Sequence, residues 1–358
     1  MEKRIKKILL FLLVILSLAP LTATPNTPYD IAYCTSYKVM TAKERQLLDT
    51  LYEGVRLHLP SIKLPFETEE AVFDKVLNVL CDDFPEILSL DKAYSVYKNQ
   101  DDKVVDFVPQ YFISRDTEVK MQKLLFSVAV KIVSASPSTE GEKELYFHDQ
   151  ICNLVTYSKN LDRRIIHTSY GALVEKEAVC DGYAKAMALL CRLANIECSV
   201  VSGMSYNGDT TGFHAWNIMK IHNTYTFSDL TWNDFKEYIR YDYFNVTDDI
   251  MAVDHKTVSS LNWPSCKSLA VNWHYLNNLY IKAINDKELR RLVKNYARFS
   301  SKTNETISIR FEDYDTYLRF TTNFEEWFKL ALKDYKGSFS YWISPNDRQQ
   351  CFAVRKVD

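Results

Sequence analysis

The chain has 358 residues, 47% of them hydrophobic and 25% charged, which is enough for two or three compact units with a sizeable core. Forty-four basic residues stand against 46 acidic ones, for a net charge of −2. A chain this close to neutral, without a basic block, has no electrostatic basis for binding nucleic acid.

The first residues, MEKRIKKILLFLLVILSLAPLTATPNT, place four basic residues ahead of an apolar run from Ile8 to Leu18, with small and polar residues after Pro20. That is the order of a secretory signal, and the run is shorter than the roughly 20 apolar residues a spanning helix needs. The expectation is a signal peptide over residues 1–23, cleaved after Ala23, and a secreted or cell-envelope product. Membrane attachment would follow only if the segment stayed uncleaved. Export bears on the eight cysteines, since an even count in an oxidising compartment allows four disulfides. One catalytic thiol would leave seven, so at least one more would be free or paired between chains. No C-x-x-C spacing occurs, which argues against a structural zinc site.

Apolar residues recur at helical spacing from Thr41 to Leu90, interrupted by Pro60, Pro65 and Pro85. The stretch KAYSVYKNQDDKVVDFVPQYFI alternates around a polar NQDD and predicts a hairpin. A helix is expected over Glu118–Ser134, then a turn-rich break, SASPSTEGE, where a domain boundary falls. This gives an α+β N-terminal region over 24–135, a central domain over 136–262 and a small α+β accessory unit over 263–358. In the central domain, Glu144–Val155 is helical, Tyr157–Tyr170 is irregular, and a helix starts at or just before Cys180. Asp181 places a negative charge in the first turn of that helix, and Asn195 suits a left-handed cap. Three strands follow in ECSVVSG, HAWNIMKI and TYTFSDLTW. The accessory unit shows no chemistry of its own.

Cys180 is the residue on which a functional reading turns. Backbone N–H groups at a helix start are unpaired and carry partial positive charge, so they favour thiolate and can donate to an oxyanion. Gly182 and Ala184 would leave room for substrate. A tight turn at His222-Asn223 would set Ile221 opposite Thr224 and His214 opposite Thr231. Asp229 then becomes the diagonal neighbour of His214 on the same face. An imidazole needs such an acceptor to fix its tautomer, and Cys180, His214 and Asp229 together make a candidate triad.

These segments, YGALVEKEAVCDGYAKAMALLCRLANIEC, GFHAWNIMKI and YTFSDLTW, resemble the transglutaminase-like superfamily, in its exported bacterial branch. The resemblance implies a papain-like α+β core, with a catalytic helix packed on an antiparallel sheet. It also implies Cys180 as nucleophile, His214 as base and Asp229 as orienting acid, with Trp216, Trp232 and Gly182 as framework. His148-Asp149 falls in an upstream motif and is read as a helix contact supporting the core. The segment YDYFNVTDDIMAVDH also resembles that branch, without an evident role. Ala178 departs from the glycine many relatives have there. Tyr157 or Tyr170 could supply a hydroxyl to the oxyanion. The implied chemistry is acyl transfer from an amide or peptide through a thioester, and it needs no metal or organic cofactor. Water as acceptor gives a peptidase or amidase acting on a protein or peptide, and an amine gives a cross-linking transglutaminase. The rival of another class is a non-catalytic cell-envelope binding module.

Overall fold

A computed structural model describes residues 27–208, 210–235, 238–300, 306–333 and 340–357. The expected signal peptide lies outside the described residues. After a short 3-10 turn (Ile31–Tyr33) and a one-turn helix (Thr35–Val39), the elements in chain order are α1 (Ala42–Arg56), β1 (Ile62–Thr68), α2 (Glu70–Asp83), β2 (Leu90–Lys98), β3 (Val104–Tyr111) and α3 (Arg115–Ser134). Thr41 and Glu44 close a reciprocal capping box at the start of α1. The expected hairpin is β2–β3, and β1 joins it to make a three-stranded antiparallel sheet.

The central part comprises α4 (Glu140–Leu154), β4 (Thr156–Tyr157), β5 (Glu177–Ala178), α5 (Cys180–Leu193), β6 (Glu197–Asn207), β7 (Thr210–Ile221), β8 (Thr224–Ser228), α6 (Leu230–Asn233) and β9 (His255–Thr257). Strands β9, β6, β7 and β8 form an antiparallel sheet in that order. The turn between β7 and β8 has His222 and Asn223 both at positive φ, and Ile221 pairs with Thr224 as expected. Helix α5 packs on β6 and β7. Ala215 and Met219 belong to the core on the helix side, while Trp216 and Ile218 belong to a separate cluster with Val201, Tyr243 and Met251. The alternation of a strand thus gives β7 two buried faces. The fold is α+β, with helix α5 packed on an antiparallel sheet in its central part.

One apolar cluster runs from Tyr29 to Val271 and draws on both the N-terminal helices and α5. Arg192, fully buried on α5, ties the two together. It pairs with the Asp83 carboxylate and donates to the Asp83 carbonyl at 2.6 Å and the Cys198 carbonyl at 2.8 Å. A second cluster, Leu289 to Val354, is built on α7 (Asp286–Ser300), β10 (Thr306–Phe311), α8 (Tyr314–Ala331), β11 (Ser340–Asn346) and β12 (Cys351–Val357).

One expectation changes. The third strand ends at Ser228 and Asp229 caps α6, so Thr231 never faces His214. An Asp followed by Leu-Thr-Trp-Asn starts a helical turn because its carboxylate accepts the Trp232 N–H at 3.2 Å. The disulfides that an even cysteine count allows are also not formed: all eight cysteines are free thiols. Cys191 and Cys198 are neighbours, but both sit fully buried in the core.

Candidate active site

Helix α5 starts at Cys180 without a side-chain cap from Val179, so other groups must meet its first N–H groups. Asp181 receives the Gly182 N–H at 3.0 Å and is itself held by His167, whose Nδ1 lies 2.9 Å from Oδ2. Gly182 is a packing glycine, not an entry for substrate. A Cβ there would lie 2.5 Å from the Ile166 carbonyl and 2.7 Å from the Ala178 Cβ. Ala178 is buried beneath it.

His214 Nε2 donates to Asp229 Oδ2 at 2.8 Å, which leaves Nδ1 for the thiol of Cys180. Burial disfavours charge on His214, but Asp229, by its charge and hydrogen bond, and then Cys180 raise its pKa to about 10. Asp229 is wholly buried. Burial would raise its pKa, yet the pairing with His214 and with a second histidine, His255, holds it well below the usual carboxylate range. His255 Nε2 lies 3.1 Å from the same Oδ2. The structure therefore brings Cys180, His214 and Asp229 together and adds a residue that sequence reasoning missed. Its signal was the final Asp254-His255 of YDYFNVTDDIMAVDH.

Trp232 and Trp216 pack their rings 5.6 Å and 6.2 Å from His214, and Trp216 is buried. Tyr157 reaches the nucleophile because β4 pairs with β5 in parallel, setting Tyr157 beside Ala178 two residues before Cys180. Its hydroxyl meets the Cys180 backbone N–H, and burial, then the charges of Cys180 and Asp181, push its pKa up to about 12. It is thus a protonated donor at neutral pH. Tyr170 packs against the core instead. His148 donates from Nδ1 to Asp149 at 2.8 Å and lies 3.0 Å from the Asn233 side chain, so it buttresses α6 and with it Asp229.

Cys180 and His214 open onto a cleft of about 590 Å³. One wall is α2, with Asp74, Asn78 and Asp82, and another is the segment from Val258 to Trp263. Asp82 accepts from Ser202 Oγ at 2.6 Å, and Phe213 stands 85% exposed beside His214. Among the described residues, two groups of side chains converge tightly enough to suit a cation: His214–Asp229–His255 and Asp242–His274–Cys351. In the first, the ring nitrogens already donate to carboxylates. In the second, Arg240 pairs with Asp242 at 2.6 Å, and the Arg240 and Arg310 charges lower the His274 pKa, after burial, to about 3. Neither arrangement favours a metal over its own hydrogen bonds.

Residues 127–242 match the model of the transglutaminase-like superfamily. Members are typically cysteine-based acyl-transfer enzymes. Among solved structures, a candidate cysteine protease from Cytophaga hutchinsonii is similar at 15% identity, over 39% of this chain and 61% of that one, with TM-score 0.27. A TGase is similar at 12% identity over 74% and 68% of the two chains, TM-score 0.30. Menin, in a structure that reveals its binding site for the Mixed Lineage Leukemia protein, is similar at 12% identity over 82% and 61%, TM-score 0.26. The chain thus spans less than two thirds of the length of the Cytophaga protein. No curated protein matches the chain.

Proposed function

We propose that this protein is an exported cysteine peptidase or amidase of the transglutaminase-like kind. The observation that carries the reading is the His214 imidazole, held by Asp229 at 2.8 Å and facing Cys180 at the mouth of an uncapped helix on an open cleft. His214 takes the thiol proton as Cys180 attacks an amide carbonyl of a protein or peptide. The negative oxygen displaces the Tyr157 hydroxyl oxygen from the Cys180 N–H and accepts from both. His214 passes its proton to the leaving amine, leaving a thioester on Cys180. His214 then takes a proton from water as it attacks the thioester, which restores the thiol and releases the acid.

Hydrolysis is favoured over transfer to an amine by the composition of the cleft. Amine transfer requires water to be kept from the thioester, against its ~55 M concentration. Trp216 and Trp232, which could have walled a tunnel, pack on the histidines and do not line the cleft. Trp263, Phe213 and Tyr94 do line the cleft, but so do His167, Asp181, Asp82 and Ser202, polar groups that hold water at the site and do not exclude it. Export rests on the leading segment, whose targets would then lie in the cell envelope or beyond. The test is incubation with a mixed peptide library and a tagged primary amine, followed by mass spectrometry. Hydrolysed or deamidated products should dominate. A majority of amine adducts at millimolar amine would instead assign cross-linking.

A further inference from the structure

His255, at the start of β9, has a carboxylate on each ring nitrogen. Nδ1 lies 2.7 Å from Asp254 Oδ1 and Nε2 lies 3.1 Å from Asp229 Oδ2. The ring is buried, as are both carboxylates. A neutral imidazole has one N–H and one lone pair, so one of the two contacts would set a lone pair against a carboxylate oxygen. Only the imidazolium donates to both. The groups facing the ring are His214 from β7, Asp229 after β8, the adjacent Asp254, and Tyr243; Trp216 and Trp232 pack on it as well.

Asp254 is held in turn. Its Oδ2 accepts from Tyr243 Oη at 2.8 Å and from Gln349 Nε2 at 3.0 Å. Gln349 lies in the turn between β11 and β12, and its backbone and side-chain oxygens accept from buried Arg310 at 2.9 Å and 3.2 Å. A continuous hydrogen-bonded path thus joins the C-terminal unit to the carboxylate that faces His214. None of it past Asp242 falls within the matched family segment.

We infer that His255 is a positioning residue of the active site: an imidazolium clamped between Asp254 and Asp229, fixing Asp229 on His214 and making the C-terminal unit part of the site. The inference rests on the reading of Cys180 and His214 as nucleophile and base. His255 acts through Asp229 and does not touch the thiol. Burial opposes charge on His255, but the two carboxylates raise its pKa, in keeping with the clamp. Its cation also shares the Asp229 charge with His214, so its loss leaves the whole carboxylate to His214 and makes that base harder to deprotonate.

The experiment uses the full-length mature chain, with ¹⁵N-histidine NMR and alkylation of Cys180 by iodoacetate and iodoacetamide across pH. While His214 is an imidazolium it favours the anionic reagent, so the rate ratio falls as His214 loses its proton. Wild type should show His255 with two protonated ring nitrogens at pH 8, the resonance being assigned by its loss in His255→Gln. That variant should alkylate about tenfold more slowly at pH 7, the scale of losing a group that orients a catalytic residue. Its fall in rate ratio should move up by about half a pH unit or more. Gln349→Ala, which keeps both histidines, should slow alkylation in the same direction. A His255 with one protonated nitrogen, or a wild-type ratio profile in His255→Gln, would overturn the inference. A wild-type profile in His214→Ala would instead bring down the nucleophile–base reading beneath it.

Discussion

Asp229 Oδ1 accepts the backbone N–H of Trp232 at 3.2 Å, so the carboxylate that faces His214 through Oδ2 is also the cap of α6. This double use holds both carboxylate oxygens, and among the described residues Oδ1 takes only the Trp232 N–H. Asp229→Asn can keep the cap through its carbonyl oxygen, but its amide then points N–H at two imidazoles that must donate. Covalent turnover should fall roughly 10³–10⁴-fold while the nucleophile survives. Stability should drop by about 3 kcal/mol, as for a buried ion pair with one partner removed. Denaturant unfolding and labelling kinetics on the same preparation check both. Full activity in Asp229→Asn would mean that the imidazole has another acceptor.

Tyr157→Phe removes one of two donors proposed for the oxyanion and leaves the ring packed 6.3 Å from Tyr183. The expected loss is about 10²-fold in kcat with KM little changed, the signature of an interaction made in the transition state. Equal losses in binding and turnover would make Tyr157 a substrate contact.

Much of this arrangement was legible because it is local. The helix at Cys180 and the left-handed Asn195 are written within one or two turns of chain, and the β7–β8 turn needs only two residues at positive φ. Asp229 was found for a partly wrong reason: strand alternation brought it to the right place, while its own capping tendency ended the strand. The Asp254-His255 pair marked His255 without giving it a role, and Gln349 was not legible. Their partners lie 26 and 95 residues away, and nothing in the local pattern of a lone histidine or glutamine reports which carboxylate it will meet. Tyr157 fell between these cases, since a two-residue parallel pairing with Ala178 carries too little pattern to read.

The pH dependence of stability should be governed in the neutral range by Glu144, buried on α4 with Oε2 accepting from Asn245 at 2.8 Å. Burial, against that hydrogen bond, pushes its pKa up to about 8. The unfolded carboxyl ionises near pH 4.3, so the fold loses stability from there up to about pH 8. His214 adds to the same trend at higher pH. Its raised pKa contributes stability that is complete below about pH 6.5 and is lost as pH rises through about 10. Asp229 acts oppositely, contributing above its unfolded pKa and losing that contribution only in strong acid. Glu144→Gln should therefore gain about 1–3 kcal/mol over wild type at pH 8 and little at pH 5, by thermal unfolding. An equal effect at both pH values would show that Glu144 is ionised in the fold.

Cys180→Ala should abolish covalent labelling at the site and leave the melting temperature within a degree or two. A partly exposed thiol at a helix tip contributes little packing. A large loss of stability would point to a structural thiol.

Cys81 provides the internal control for the central claim, that Cys180 is a nucleophile activated by His214. Both thiols are partly exposed and both line the same cleft, but burial and then the Asp82 carboxylate beside Cys81 push its pKa up to about 12. The deciding measurement is iodoacetamide labelling of the intact protein at pH 6 to 9, with the rate at each of the eight cysteines read by peptide mass spectrometry. Cys180 should react first at every pH, well ahead of Cys81, and should lose that lead in His214→Ala. Equal rates at Cys180 and Cys81, or a lead that survives the loss of His214, would contradict the account.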